Sequence, residues 1–516
     1  MRDSFLRHVR RNAPVFVIAA VVLVLTQGRL LLYGGFGIDT DVMLYDVELE
    51  YRAWNSIGRY ALVWLSRLMN FGGPFSVLRT GIVTLVFVWI AVLLWSALFA
   101  DVRGALSKAE TLVFSLLFVT SPLWTEQFYF KLQAQEVALA LCFSALSVWL
   151  AYRFCTGGAV YLAWPAAVLL ILSTGVYQTF AALFLTGLCA ALFLSLSEQR
   201  EINLGLFFRR GIPLFVCSMV VHFLLTRVFG GGSLHAASEV FWLSRPASEN
   251  LTDILRAYYY VYAARTIDFT PAIALTAVLA TVFVLSEYRK RKEKRRAVPV
   301  IWFLLLFAAP FSLHIILGGS LPARARYPVV LLYAFLGFLL LRFAGRNPEA
   351  SGTEASEGFA QEMRGLWKNP VWIGCAALLL FGVVHSAYAT LQLCDTDRTR
   401  FEEDLRFAES IWRETAPFRQ EETELPLVYY GTHTASTEEL YEVIGKSVFA
   451  WGHEEDDGWY NAGWIRAFFH DLGMEYPVAE EEKMQAAAPN AAAMPSFPLK
   501  GSMVLRDGIL FVKLSD

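Results

Sequence analysis

Hydrophobic positions in this chain are gathered into long unbroken runs, with polar residues concentrated between them. A helix needs about 20 apolar residues to cross a bilayer, and about eleven runs approach that length. They lie at residues 14–34, 78–100, 109–123, 133–152, 158–174, 177–196, 211–229, 269–287, 298–317, 328–344 and 370–391. The pattern predicts an α-helical polytopic membrane protein with about 11 transmembrane helices, within a domain covering residues 1–392.

The pattern changes near residue 392, after which no run is long enough to cross a membrane. We predict that residues 393–516 form a small soluble α/β domain. Its predicted parts are a helix at FEEDLRFAESIWRETA, a strand at LPLVYYG, a helix start with a capping-box pattern at STEELYEVIGKSVFAWG, a flexible connection at AAAPNAAAMP, and a hairpin at SMVLRDGILFVKLS with its turn at Asp507-Gly508.

The composition excludes two classes of protein. With 56% hydrophobic, 15% aromatic and only 17% charged residues, the 516-residue chain is too apolar to be soluble throughout. A net charge of -2 gives no broad basic surface for a nucleic acid. Four of the six cysteines lie inside apolar runs, so they are expected to be buried hydrophobic residues rather than a disulfide framework or a metal site.

Lysine and arginine accumulate in the segments that would be cytoplasmic if the N-terminus is inside, including the run EYRKRKEKRR, which we interpret as a topology anchor. The first apolar run lacks a convincing cleavage site and is interpreted as an uncleaved transmembrane helix. This arrangement places the loops at 35–77 and 230–268, and the C-terminal domain, on the outer side. The second loop contains LTDILRAYYYVYAARTIDF, which predicts a helix at the membrane interface.

Two acids follow the first predicted span directly. A carboxylate within hydrogen-bond reach can remove the proton of an attacking hydroxyl, as sugar transfer requires. In an extended backbone Asp39 and Asp41 point to one side, whereas in a helix they diverge. One acid would be the base and the other would orient a sugar or a cation. The alternative is a solvated acidic loop.

Arginine is suited to a lipid phosphate because its donors form a fixed fork. Arg324 and Arg326 lie in SLPARARYP at the outer end of the tenth span, and Arg59 lies in the first loop. We predict that these three residues bind the donor phosphate. The alternatives are interfacial snorkelling for the first two and a structural ion pair for Arg59.

Aromatic and amide groups at outer helix junctions are candidates for sugar or acceptor binding. Tyr177 and Gln178 occupy one junction, and Trp124 and Glu126 occupy the next outer turn. The alternatives are a membrane-anchoring tyrosine and, with Gln127 and Lys131, a surface ion pair. No set of His, Asp and Glu has the spacing of a metal site, although a divalent cation bridging loop carboxylates and phosphate stays open. The absence of a Walker loop or a GxGxxG strand-to-helix turn fits a donor already loaded on lipid.

Several segments together resemble the GtrII-type glucosyltransferase family over nearly the whole chain. They are the acidic pair followed by GRYALVWL, SPLWTEQFYF, LSTGVYQTF and MPSFPLKGSMVLRDGILFVKL. The resemblance implies a GT-C type enzyme of the bacterial inner membrane that uses a polyprenyl-phosphate sugar, glucose in this family, to modify O-antigen of lipopolysaccharide or a related surface glycan. It also implies a periplasmic active site and a separate flippase and donor synthase.

The resemblance implies that an acid of the first periplasmic loop is the base, which makes Asp41 the first candidate and Asp39 a near equal. GT-C loops often have adjacent acids, whereas Thr40 separates them here. A transporter or flippase of lipid-linked sugars is an alternative, but such proteins place ionisable groups at the bilayer midplane and often have matching halves. A glycan polymerase or ligase with a lipid-linked donor is a further alternative.

Overall fold

The computed structural model describes residues 2–32, 35, 37–70, 75–230, 240–290, 297–345, 369–421, 425–436, 444–451 and 458–515, without the side chains of Ile38 and Lys290. These residues form two compact units. The helical unit consists of Met1–Leu32, Ala53–Phe128 and Gln133–Leu391. The α/β unit consists of Tyr33–Arg52, Tyr129–Leu132 and Gln392–Asp516, so it includes two short segments far upstream of the C-terminal domain.

The helices, in chain order, are α1 (Arg2–Arg11), α2 (Ala13–Leu32), α3 (Ile38–Tyr45), α4 (Val47–Ser56), α5 (Tyr60–Asn70), α6 (Val77–Arg103), α7 (Lys108–Val119), α8 (Leu123–Phe128), α9 (Ala134–Cys155), α10 (Ala163–Val176), α11 (Phe180–Ser197), α12 (Leu204–Phe229), α13 (Ala247–Tyr262), α14 (Ala272–Lys290), α15 (Ala297–Ala308), α16 (Ser312–Leu317), α17 (Pro328–Gly345), α18 (Pro370–Glu414), α19 (Ala416–Glu421), α20 (Gly463–Asp471) and α21 (Glu481–Ala487). The strands are β1 (Leu427–Tyr430), β2 (Met503–Arg506) and β3 (Ile509–Lys513).

The prediction of a helical polytopic protein is confirmed. Of the described helical segments, nine are long and apolar enough to cross a membrane, when α15 and α16 are counted as one continuous segment. Each of the eleven predicted runs overlaps at least one helix. The fifth and sixth runs are separate helices because Tyr177, directly after α10, has an extended backbone with φ −156° and ψ 127°. Helix α12, which contains the seventh predicted run, is the least buried of these nine, as expected for a surface that faces lipid.

The segment predicted as the first outer loop contains helices. Residues predicted as one loop from 35 to 77 contain α3, α4 and α5. Asp39 and Asp41 both lie in the first turn of α3, so the alternative in which an extended backbone points them to one side is wrong. Successive helical residues are turned by about 100°, which makes residues two apart diverge.

The α/β unit is built on a small mixed sheet. The described strands have the order β1-β3-β2, with β1 parallel to β3 and β2 antiparallel to β3. Asp507 and Gly508 both have positive φ, as a tight two-residue hairpin turn requires, which confirms the predicted hairpin. All five residues of β3 are buried because apolar groups cover both faces of this central strand.

Two other expectations for this unit have different outcomes. The AAAPNAAAMP segment is packed rather than flexible, since Met494 and Ala491 are buried beneath the sheet. Its backbone is also fixed, because Trp459 Nε1 donates to the Pro489 oxygen at 2.9 Å and Lys513 Nζ to the Met494 oxygen at 2.9 Å. The capping-box pattern near residue 437 lies outside the described residues.

Candidate functional site

The two candidate bases occupy different environments in α3. Asp41 is fully buried, whereas Asp39 is half-buried. Neither carboxylate oxygen of Asp41 has a hydrogen-bond partner among the residues that the structure describes. A buried, unsatisfied carboxylate is costly, so its retention indicates a use other than stability.

The start of α3 is held by a close backbone approach. Gly37 precedes the helix, and a Cβ at this position would lie 2.7 Å from the ring of Tyr129. Only glycine therefore allows the chain to pass this close to the buried tyrosine. This contact joins the first upstream segment of the α/β unit to the second, Tyr129–Leu132.

Helix α20 packs against α3 within this unit. The rings of Tyr45 and His470 meet edge to face with centroids 5.0 Å apart, and the guanidinium of Arg466 lies 5.1 Å from the Tyr45 ring centroid. Asp471 ends this helix. Packing of the two helices brings the negative charge of Asp471 close enough to act on Asp41.

Buried ion pairs of α18 also act on Asp41, and with Asp41, Lys131 and Asp471 they make up the cluster around Asp41. Arg400 Nη2 donates to Asp397 Oδ1 at 2.8 Å, and Arg400 Nη1 donates to Asp404 Oδ2 at 3.1 Å. The spacing 397, 400, 404 places all three groups on one helix face. Lys131 Nζ lies 3.6 Å from Asp397 Oδ2 and also donates to the Gly35 oxygen.

Asp404 is further satisfied by residues of the C-terminal domain. Ser447 Oγ donates to Asp404 Oδ1 at 2.6 Å, and the Val448 N–H donates to Asp404 Oδ2 at 3.1 Å. Arg400 and Asp404 are therefore fixed in place while being almost completely excluded from water. This network is costly to disrupt, because removal of one charge leaves its partner buried alone.

These surroundings change the proton affinity of the candidate base. Burial raises the pKa of Asp41 well above its usual range, and the negative charges of Asp471 and Asp404 raise this pKa further, while Arg400 and Lys131 oppose the rise. Burial raises the pKa of Asp471 to about 7. A carboxylate with a raised pKa is a stronger base, which suits it to accept a hydroxyl proton.

Three of the predicted binding residues meet in the helical unit. The guanidinium of Arg59 lies 4.7 Å from the Tyr177 ring centroid, and Tyr177 and Trp124 both approach the ring of Tyr327, with centroids 6.1 and 5.8 Å apart. Gln178 Nε2 donates to the Ile57 oxygen at 2.6 Å, which fixes the turn that carries Arg59. We call Arg59, Trp124, Tyr177 and Tyr327 the aromatic–arginine cluster.

The other predicted residues lie in the turn before Tyr327 and in α8, which are in contact with each other. Arg326 is buried in the short turn Ala323–Arg326, where its Nη2 donates to the Leu321 oxygen at 3.0 Å and to Ser320 Oγ at 3.3 Å. Arg324, in the same turn, is half-buried. Glu126 is buried in α8 rather than part of a surface ion pair.

Several charged residues of the cluster around Asp41 are not predicted from the sequence. The sequence suggests only a surface ion pair for Lys131, whereas this residue is buried. Asp397, Arg400 and Asp404 have a recognisable signal, since charges at helical spacing follow an apolar run, but this signal is equally typical of a solvated helix face. Asp471 has no local signal. Among the described residues, no group of three or more His, Cys, Asp or Glu side chains is arranged to hold a metal ion.

Comparison with known proteins identifies a family and similar solved structures. Residues 30–341, more than half of the chain, match the family described as Glucosyl transferase GtrII. No curated protein matches the chain. Among solved structures, it is similar to the Archaeoglobus fulgidus oligosaccharyltransferase in complex with zinc and sulfate, with a TM-score of 0.40 and 11% identity, over 91% of this chain and 62% of that chain. The chain thus spans less than two thirds of the length of that protein.

Proposed function

Because the chain belongs to the GtrII glucosyl transferase family and is a membrane glycosyltransferase, we propose that it transfers glucose from a polyprenyl phosphate to a hydroxyl of a surface glycan, with Asp41 as the general base. The observation that carries this proposal is the state of Asp41. It is the first-turn acid of α3 that is buried, and in the described part of the chain its oxygens have no hydrogen-bond partner. An acceptor hydroxyl would supply the missing donor.

The proposed reaction is a single displacement. The acceptor hydroxyl donates its proton to the Asp41 carboxylate while its oxygen attacks the anomeric carbon. The bond between that carbon and the phosphate oxygen breaks, and the leaving phosphate retains the electron pair. Attack from the face opposite the leaving group inverts the configuration at the anomeric carbon. The raised pKa of Asp41 favours proton uptake at this step.

The surroundings of Asp41 support its role as the base in two opposite ways. Arg400 and Lys131 stabilise the carboxylate charge, so the group can lose its proton before each cycle. Burial and Asp471 favour the protonated form, so the same group retains a proton after it accepts one. We propose Asp471 as a positioning residue that sets this balance, rather than as a second base.

Positive charge is proposed to stabilise the departing phosphate, since that group gains negative charge as the bond breaks. Arg59, Arg324 and Arg326 are the residues assigned to it. The guanidinium of Arg59 is held over the Tyr177 ring, and that of Arg326 lies over the Tyr260 ring at 5.7 Å from its centroid. Tyr177, Trp124, Gln178 and Glu126 are proposed to bind sugar or acceptor.

The finer features implied by the family are part of the same proposal. They are a donor carried on polyprenyl phosphate, an acceptor such as O-antigen, an active site on the periplasmic side of a bacterial inner membrane, and a separate flippase and donor synthase. A divalent cation that bridges a carboxylate and the donor phosphate is a further feature to test. Comparison of the transfer rate with and without a chelator shows whether the reaction requires one.

The deciding experiment uses the purified full chain in proteoliposomes with polyprenyl-phosphate glucose labelled in the sugar. Covalent appearance of the label in an added glycan acceptor is the expected result. Movement of the labelled lipid across the bilayer without covalent transfer would instead favour a flippase. Transfer of preassembled oligosaccharides, with no transfer of single glucose units, would favour a polymerase or ligase.

A further inference from the structure

A narrow apolar slot lies in the helical unit, between α11 and α12. Its cavity volume is about 180 Å³, and Phe184, Cys189, Phe208, Ile212 and Val216 are among its lining residues, with Trp302 of α15. Of the described residues that line the slot, none is charged. Ile212 and Val216 are 57% and 50% exposed, which shows that the slot opens outward on a face of the apolar helices. On such a face the surrounding medium is lipid.

The length of the slot indicates what fills it. The lining residues run from Phe184 to Leu192 on α11 and from Phe207 to Val216 on α12. At 1.5 Å per residue these segments are roughly 12 to 14 Å long. One leaflet of the hydrocarbon core is about 15 Å thick. The slot therefore fits a chain from a single leaflet, rather than a long polyprenyl chain that continues through the bilayer.

A positive charge lies on α12 near one end of this slot. Arg209 precedes Ile212 by three residues and Val216 by seven, so the three share a helix face. Arg209 is exposed and has no ion pair or hydrogen bond with any described residue. Its neighbour Arg210 differs, because its Nη1 donates to the Phe154 and Gly158 oxygens at 2.8 and 2.9 Å. Arg209 thus remains available to an anion outside the protein.

We propose that this slot is a binding site for an anionic glycerophospholipid, with one acyl chain between α11 and α12 and the phosphate head at Arg209. Aromatic rings fix the walls, since Phe184 stacks on Phe215 and Phe208 stacks on Trp302 with centroids 6.1 and 5.8 Å apart. An acyl chain in the slot gains dispersion contacts that an unfilled groove would lack. The predicted orientation places this end of α12 on the cytoplasmic side, where basic residues meet anionic lipid heads.

The test uses the delipidated full chain in detergent, with phosphatidylglycerol or phosphatidylcholine of identical acyl chains, and native mass spectrometry to measure bound lipid. We expect phosphatidylglycerol to bind about five-fold more tightly, the effect of one arginine at a lipid surface. Arg209→Gln should remove this preference. Ile212→Trp should weaken binding of both lipids by filling the slot. Val220→Trp is the matched control, because Val220 is 52% exposed on the same helix and does not line the slot.

A second measurement needs only one conservative change. Phosphatidylglycerol brominated on its acyl chains should quench the fluorescence of Trp302, so the quenched signal should be smaller in Trp302→Phe than in the wild type. Equal affinity for the two phospholipids in the wild type would overturn the proposal. So would equal effects of Ile212→Trp and Val220→Trp, no difference in quenching, or displacement of phosphatidylglycerol by an equal concentration of polyprenyl phosphate.

Discussion

The helical unit exposes large apolar side chains, whereas the α/β unit buries a connected set of charged groups. In the helical unit, large apolar side chains such as Val17 and Leu25 are 60% and 67% exposed, because the medium around them is lipid. In the α/β unit, Asp41, Arg400 and Asp404 are at most 1% exposed, beside an ordinary apolar core around the sheet. The exposure of apolar side chains follows from hydropathy alone. The burial of charged groups needs specific partners, and catalytic groups are expected at such sites.

The α/β unit contains two kinds of buried ionisable group, which differ in their hydrogen bonds. Arg400 and Asp404 have partners for most of their polar atoms, which is typical of a structural network. Asp41 lies in the same electrostatic environment, and among the described residues it has no hydrogen-bond partner. Substitution should therefore affect stability at the first pair and activity at Asp41.

The largest expected effect is on activity. Asp41→Asn removes the proton acceptor with little change in volume, so we expect the rate of glucose transfer to fall about 10²- to 10⁴-fold. Asp39→Asn is the matched control, since Asp39 is half-buried in the same helical turn, and it should retain most activity. The initial rate of label transfer into the glycan measures both.

Stability provides the second half of this test. Asp41→Asn replaces a buried carboxyl group, which has no hydrogen-bond partner among the described residues, with a neutral amide. Thermal unfolding should therefore occur at an equal or higher temperature than in the wild type. An inactive variant that also unfolds early would indicate a structural role for Asp41. Greater loss of activity in Asp39→Asn would transfer the role of base to that residue.

The next effect is on stability. Arg400→Gln leaves Asp397 and Asp404 buried without their common partner, which should destabilise the α/β unit by about 3–5 kcal/mol. Arg398→Gln is a close control, because Arg398 and Glu402 form an ion pair with the same spacing on the exposed face of the helix. Little change is expected there, since solvent screens exposed pairs. Denaturant unfolding followed by tryptophan fluorescence distinguishes the two variants.

The sequence predicts the two units to different extents for a physical reason. Each apolar run predicts helical structure locally, because a helix in lipid satisfies its backbone hydrogen bonds internally. The hairpin at Asp507-Gly508 is equally local, since its turn requires residues that tolerate positive φ. The cluster around Asp41 depends instead on contacts between segments far apart in the chain, such as Lys131 with Asp397. A single sequence contains no signal for such pairs.

The local sequence does not decide which of Asp39 and Asp41 is the better candidate base. The choice between an extended and a helical backbone decides whether the two acids cooperate, and their spacing alone does not make that choice. The structure places them in one helical turn with different burial, which distinguishes two residues that the sequence left nearly equal. Asp471 could not be predicted from the local sequence at all, because its effect on Asp41 depends on the packing of α20 on α3.

A smaller effect is expected in the aromatic–arginine cluster of the helical unit. Arg59→Lys retains the charge but loses the planar group that lies over Tyr177, so we expect the KM for the lipid donor to rise about two- to thirty-fold. Arg227→Lys is the control, because Arg227 makes a similar contact with Phe223, at 5.0 Å, on an exposed part of α12. Equal changes in KM for the two variants would remove Arg59 from donor binding.

The smallest effect, and the most specific to the α/β unit, is a shift in pH dependence. A general base works only when deprotonated, so activity must fall as the pH decreases through the pKa of Asp41, which burial and Asp471 raise. Asp471→Asn removes one of these causes and should lower the pKa of Asp41. The acidic limb of kcat/KM should therefore move to lower pH, by up to about one unit, which corresponds to about 1.4 kcal/mol of interaction between the two carboxyls.

Glu475→Gln is the control, because Glu475 is an exposed acid close to Asp471 in the sequence. An acidic limb that stays in place, with thermal stability unchanged, would show that Asp471 does not act on the base.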